Sequence, residues 1–315
     1  MGDPAGIGAE IILKSLPNIG RKSIPVIVGD RKVMDTVSSI LSSVDNKQLN
    51  DLVNDLEKNP KHNAEFIDLG LLHNVRFGVS RAEYGEASYR YIMEALRLLF
   101  AKEVSAIVTC PINKKSINSA GIEFVGHTEL LAHHGGVKDY VMMMANRDMR
   151  VSLVTIHIPL KDVPASISVE KVLRTITITS DYLKRYFGLE KPHLKVCGLN
   201  PHAGEEGIMG NEETMIIDAI KRAQAHNIYV EGPFPADTLF HRLDCDAFVA
   251  MYHDQGLIPV KTIDFARTVN VTLGLPFVRV SPGHGTGYDI AGKGIADPTS
   301  LMEAYMVAEE IISKN

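Results

Sequence analysis

Tryptophan is absent from these 315 residues, and cysteine occurs only three times, as Cys110, Cys197 and Cys245. An odd, widely spaced set of thiols excludes a disulfide framework and points to a reducing cytoplasm. No apolar run approaches the roughly 20 residues of a spanning helix, and the opening MGDPAGIGAE lacks the pattern of a signal peptide. An excess of one charge is missing as well. With 33 basic and 38 acidic residues the formal charge is −5, which leaves no global field for nucleic acid or an anionic membrane. Repeats, low-complexity tracts and long linkers are lacking, so any domain boundary is a crossing between packed lobes. Apolar residues at 45% and charged residues at 23% exclude disorder. The length exceeds one core of about 100–150 residues, so two domains are expected.

What is present alternates between two periods. IPVIVGD, AEFIDLG and SAIVTCPI are short β-branched runs, and a helical pattern follows Arg31. Tyr89, Ile92, Met93, Leu96, Leu99 and Phe100 recur at spacings of three and four, which predicts an amphipathic helix with these residues on one face. A second helix is expected from Val169 to Phe187, with Ser168 as its N-cap and Gly188 as its left-handed terminator. HLKVCGL, AFVAMYH and VNVTLGLPFVRV supply further strands, and the polar stretch from Asn46 to Asn63 reads as an exposed helix and loop. Strands alternating with helices imply an α/β fold with a parallel sheet covered on both faces.

The polar residues that carry chemistry cluster at strand ends, where α/β folds build their sites. Gly2 to Gly8 precedes a helix and suits either an anion at its N-terminus or a tight turn. His157, His202 and His253 each follow a β-branched run. Neutral imidazole is a common metal ligand, yet each alone reads more readily as a hydrogen-bonded structural histidine, and only their shared position at strand ends brings the ligand reading level with it. His133 and His134 read as dipole partners at a helix end, and His62, His73 and His226 as surface residues. Gly126-His127-Thr128-Glu129 reads as a polar turn opening a helix at Leu130, suited to phosphate or carboxylate unless Thr128 is only an N-cap. Lys261, Asn270 and Arg279 lie in or beside apolar segments. Cations there need an anionic ligand or an internal salt bridge. The loop from Ser281 to Gly294 has enough glycine for close backbone approach to a ligand, and Asp289 is placed to accept ribose hydroxyls.

Together, GDPAGIG, TCPINK, GHTELL, IHIPL, NPHAGEEGIMGNEE, GPFPADTLF, MYHDQGLIPVK and the C-terminal glycine loop resemble the 4-hydroxythreonine-4-phosphate dehydrogenase family. The resemblance implies two α/β/α lobes with a cleft between them, like isocitrate and isopropylmalate dehydrogenases. It places residues 1–126 plus 266–315 in a cofactor-side lobe and 127–265 in a lobe for metal, substrate and dimer interface. His157, His202 and His253 would bind a divalent metal such as zinc, cobalt or magnesium. His127, Thr128, Lys261, Asn270 and Arg279 would hold a phosphorylated substrate, and a homodimer would complete each site. The loop residues His284, Gly285, Thr286, Asp289 and Gly292 would receive NAD, with NADP the alternative, and Asp254 would be a relay or support beside His253. Two departures stand out. The family carries a short strand ahead of GDPAGIG, where this numbering starts, and Gly283 occupies a position that is usually aspartate.

The reaction implied is oxidation of the 3-hydroxyl of 4-phosphohydroxy-L-threonine, followed by decarboxylation of the β-keto acid, in pyridoxal-phosphate synthesis. The alternative is a D-threonate or D-erythronate 4-phosphate dehydrogenase yielding dihydroxyacetone phosphate. A metal-dependent hydrolase or phosphatase would use the same histidines but leave the glycine loop idle, and a catalytically silent sugar-phosphate-binding protein would need no metal.

Overall fold

A computed structural model describes residues 1–20, 22–43 and 64–314. In chain order its elements are α1 (Gly8–Ser15), β1 (Val26–Gly29), α2 (Arg31–Ser43), β2 (Glu65–Asp68), α3 (Ala82–Phe100), β3 (Ala106–Val108), α4 (Lys114–Ser119), α5 (His127–His134), β4 (Val141–Ala145) and β5 (Arg150–Leu153). There follow α6 (Val169–Phe187), β6 (His193–Cys197), α7 (Glu213–Ala225), β7 (Tyr229–Phe234), β8 (Ala247–Ala250), α8 (His253–Ile263), β9 (Val269–Leu273), β10 (Val278–Pro282) and α9 (Thr299–Ser313). The stretch expected as an exposed helix at Asn46 to Asn63 lies outside the described residues.

The chain divides into two compact units. The first holds Met1–Leu131 and Phe277–Ile312, the second Ala132–Pro276 and Ser313–Asn315. In the first unit β1 pairs in parallel with β2, and β3 in parallel with β10. Ile11, Leu13, Val33, Met34, Val37 and Leu41 lie in its core, the α2 residues recurring at helical spacing. An apolar cavity of about 470 Å³ beside β1 and β3 is lined by Ile12, Leu16, Val28, Tyr91, Val108 and Leu301. The Met1 ammonium reaches it, donating to the Val28 carbonyl at 2.8 Å, and desolvation holds its pKa below the ordinary value.

The second unit orders its strands β9-β4-β5-β8-β6-β7. Pairings of β5 with β8, β8 with β6, and β6 with β7 are parallel. The expectation of a wholly parallel sheet fails at β4, which runs antiparallel to both β5 and β9. Only the four residues Asn146 to Met149 join β4 to β5, and a link that short permits a hairpin but no crossover helix. Gly256 of α8 faces β5 so closely that a Cβ would lie 2.6 Å from Leu153 and 2.8 Å from Val151. Helix α6 is bounded as the sequence predicts. The Ser168 hydroxyl accepts from the Lys171 N–H at 3.2 Å, and Gly188 closes the helix at φ 69°.

Helix α3 exists, but its buried face differs from the one expected. Tyr84, Gly85, Ala87, Ser88, Tyr91, Ile92, Leu96, Leu98 and Leu99 are buried, whereas Phe100 is 52% exposed and Tyr89 and Met93 are half-buried. Covering on more than one side widens the buried arc, so a single apolar stripe misplaces its edge. The helix meets α4 at Gly85, where a Cβ would fall 2.0 Å from the Ser116 carbonyl oxygen. Gly85→Ala is therefore expected to destabilise the fold by about 1–3 kcal/mol, the usual cost of overpacking. Urea unfolding reads this directly, and an unchanged midpoint would contradict the close packing of α3 on α4.

Candidate active site

In the first unit, strand β10 carries Arg279 into the interior, where it is 2% exposed. Its Nε and Nη2 donate to the Thr109 hydroxyl at 3.2 and 2.8 Å, Thr109 following directly on β3. Burial pushes the guanidinium down to about 10, with the Glu129 carboxylate opposing the shift, so it remains a cation at neutral pH. His127 is close enough to feel that charge. Helix α5 already begins at His127 rather than at Leu130, so His127 and Thr128 belong to its first turn, where backbone N–H groups are unpaired. The Nε2 of His127 is buried without a hydrogen-bond partner. Desolvation first, then Arg279, the Met1 ammonium and Lys114, hold this imidazole well below its ordinary pKa. A neutral imidazole with an unmatched nitrogen, a buried guanidinium and a helix start have the chemistry that suits an anionic group.

The two glycine-rich motifs of this unit interlock. The Ile7 N–H donates to the Thr286 carbonyl at 3.0 Å, and a Cβ on Gly6 would lie 2.9 Å from the same oxygen. Asp3 is buried and accepts from the Ala5 N–H at 2.8 Å and the Tyr288 hydroxyl at 2.7 Å. Burial raises the Asp3 carboxyl pKa against both hydrogen bonds. Gly292 is required by its φ of 76° and by the Phe77 ring, 2.6 Å from where a Cβ would sit. On the loop so fixed, Asp289 and Gly285 are exposed, and His284 carries a buried Nε2 with no hydrogen-bond partner. A Cβ added at Gly285 would meet nothing within 4 Å. Open space, an unmatched nitrogen and an accessible carboxylate fit the ribose end of a dinucleotide.

In the second unit His157 follows β5, His202 follows β6 and His253 opens α8 after β8. The rings of His157 and His253 lie 5.7 Å apart between centroids. His253 Nδ1 is 2.7 Å from Asp254 Oδ1, which leaves Nε2 as the outward nitrogen, the carboxylate–histidine pairing that supports metal ligands. The donor chemistry of this pair fits a divalent transition metal. His202 does not join them within one chain, since no group of three His, Cys, Asp or Glu side chains among the described residues is placed to hold a metal ion. His202 is exposed on a left-handed turn in which His202, Ala203, Glu205 and Glu206 all have positive φ. Such backbone costs an L-residue about 1–2 kcal/mol.

Of the remaining predicted residues, Lys261 lies on α8 with Nζ 5.3 Å from the Phe265 ring centroid, and Asn270 on β9 has a buried, unpartnered Oδ1. Sequence reasoning missed Thr109, although it sits in TCPINK, and it missed Gln255. The Gln255 Nε2 donates to the Gly198 carbonyl at 2.8 Å, while its Oε1 accepts from the Met251 N–H at 2.6 Å. One amide thus ties the segment leading to His202 to the segment leading to His253. Its adjacency to His253 and Asp254 in MYHDQG was the available signal. His73 and His226 are exposed, and His133 and His134 occupy the last turn of α5, all as predicted.

Residues 21–308 match the family described as "Pyridoxal phosphate biosynthetic protein PdxA". A protein of Sulfurihydrogenibium sp. (strain YO3AOP1) named 4-hydroxythreonine-4-phosphate dehydrogenase is 42% identical, over 98% of this chain and 95% of its own. A D-threonate 4-phosphate dehydrogenase of Cupriavidus necator is 41% identical, over 100% of this chain and 96% of its own. The crystal structure of 4-hydroxythreonine-4-phosphate dehydrogenase from Klebsiella pneumoniae superposes with a TM-score of 0.85 at 35% identity, covering 99% of this chain and 97% of that one. The chain belongs to the PdxA family.

The lowered His127 pKa has a signed consequence. The unfolded chain takes up a proton at this imidazole below about pH 6.5, whereas the folded chain does not, so stability falls as pH falls through that range. His127→Gln is expected to flatten the loss between pH 6.5 and 5 by up to about 1.4 kcal/mol per pH unit. Parallel urea-unfolding series for the two proteins test this, and identical slopes would mean that His127 is protonated in the folded state.

Proposed function

We propose that this PdxA-family dehydrogenase oxidises the 3-hydroxyl of 4-phosphohydroxy-L-threonine with NAD, and that the β-keto acid formed then loses carbon dioxide. The observation that carries the reading is the paired imidazoles of His157 and His253, 5.7 Å apart, with His253 oriented by Asp254. A divalent cation, when bound, lowers the pKa of a coordinated hydroxyl, and a nicotinamide accepts hydride. His157 and His253 supply two nitrogens for that cation, and His202 of a second copy of the chain supplies the third, so the active unit is a homodimer. Zinc, cobalt or nickel suits three imidazoles better than magnesium does.

The chain's own residues bind and orient the substrate. Arg279 and the first turn of α5, with His127 and Thr128, receive the phosphate, while Lys261 and Asn270 serve the same ligand. Neutral His127 provides one donor or one acceptor and adds no charge. The His284 imidazole and the backbone at Gly285, Thr286 and Gly292 face the cofactor. Asp289 accepts from ribose hydroxyls, and its charge disfavours a 2′-phosphate, which supports NAD over NADP. No helix among the described residues is long and apolar enough to cross a membrane, and the thiols of Cys110, Cys197 and Cys245 are free, in keeping with a cytoplasmic enzyme.

A second reading is oxidation of D-threonate or D-erythronate 4-phosphate, and the 41% identical relative named D-threonate 4-phosphate dehydrogenase favours the first of these. The two substrate classes differ by an amine against a hydroxyl at one carbon. NADH formation measured with each phosphorylated acid on one preparation decides between them. We expect phosphohydroxythreonine to give the highest kcat/KM, activity to vanish with chelator, and zinc or cobalt to restore it. His253→Ala should lower kcat/KM more than about 100-fold, beyond the cost of losing an outer-shell partner, while Asp254→Ala should cost about 10- to 100-fold in metal affinity. Full activity in chelator would sink the metal-dependent reading, and phosphate release without NADH would favour hydrolysis instead.

A further inference from the structure

Among the described residues six non-glycine positions have positive φ, and four of them lie between His202 and Glu206. The turn runs His202 (φ 53°), Ala203 (52°), Gly204 (81°), Glu205 (43°) and Glu206 (55°). L-residues hold this conformation only where neighbouring groups fix it. Packed against the turn is the carboxylate of Glu213, the first residue of α7, which is 5% exposed. Its Oε1 accepts from the backbone N–H groups of Leu199 at 3.0 Å and Asn200 at 2.7 Å, and its Oε2 accepts from Asn200 Nδ2 at 2.9 Å.

The turn lies directly on this carboxylate. A Cβ on Gly204 would come within 2.7 Å of Glu213 Oε2, and a Cβ on Gly198 within 2.7 Å of the Ala203 Cα. Asn200 is held a second time, its Nδ2 donating to Glu212 Oε2 at 2.9 Å. Glu213 thus spends its acceptors inside the chain, on the residues just ahead of His202. We propose that Glu213 is the positioning residue for His202, its buried carboxylate holding the left-handed turn that presents the imidazole as a metal ligand.

This inference rests on the reading of His202 as a ligand, and the experiment separates the two. The full-length chain, freed of metal by chelator, is titrated with Co²⁺ and followed by visible absorption, alongside urea unfolding. Wild type, His202→Ala, Glu213→Ala and the double variant form a cycle. Glu213→Ala is expected to weaken Co²⁺ binding about 10- to 100-fold, the range for residues that orient a ligand. In the His202→Ala background the same change should alter affinity by no more than about twofold. Glu213→Gln keeps an oxygen for the two backbone N–H groups and should restore most of the affinity.

Equal weakening in both backgrounds would mean that Glu213 acts through general stability, and the proposal falls. If His202→Ala weakens binding but Glu213→Ala does not, the positioning role alone falls. Unchanged binding in His202→Ala removes the ligand reading itself, and this inference with it. Should Glu213→Ala fail to fold, Gly204→Ala lifts the turn off an intact carboxylate. It is expected to give the same 10- to 100-fold loss, and unaltered Co²⁺ affinity there would overturn the assignment.

Discussion

Parallel pairing of three adjacent strands is the constraint on which the histidine-bearing edge of this protein depends. Strand β8 pairs in parallel with β5 on one side and β6 on the other, through registers such as Val151 with Phe248 and Leu194 with Ala247. Their carboxyl ends therefore emerge along one edge of the sheet. His157 lies four residues past Leu153, His253 three past Ala250, and His202 five past Cys197. The sheet fixes where these segments start, and side-chain amides and carboxylates fix where they go. Gln255 couples the segments leading to His202 and His253, and Glu213 holds Leu199 and Asn200 on the first of them.

The first unit works by electrostatic exclusion. Arg279 is buried against the Thr109 hydroxyl, and its positive charge adds to desolvation in keeping His127 uncharged. A second cation there would only repel the first, whereas a neutral ring keeps an unmatched nitrogen, as the proposed phosphate role requires. The glycine-rich segments from opposite ends of the chain meet through Ile7 and Thr286 and through Asp3 and Tyr288, so the loop carrying Asp289 is anchored at its base and open at its tip.

Much of this was legible in the sequence where the signal is local. Ser168 and Gly188 bound their helix because a hydroxyl cap and a left-handed glycine act within a few residues. The strand ends that bear the three histidines were legible for the same reason, each run being short, β-branched and closed by turn residues. Direction was not legible. Nothing in VMMMA distinguishes a parallel from an antiparallel strand, and β4 takes its sense from the short link to β5. Nor was the wide buried arc of α3, since Tyr91 and Leu98 fall off the single stripe that Leu96 and Leu99 define. The separation of His202 from His157 and His253 within the chain was not legible either, since spacing along the sequence does not encode where a left-handed turn carries its side chain. Glu213 and Thr109 were present in quoted motifs, but burial alone singles them out.

The shared amide of Gln255 has a practical side. It holds the Gly198 carbonyl and the Met251 N–H at once, so substitutions that disturb the approach to His202 and those that disturb the approach to His253 lean on one support. Their costs would not sum, and engineering either loop is a change to both.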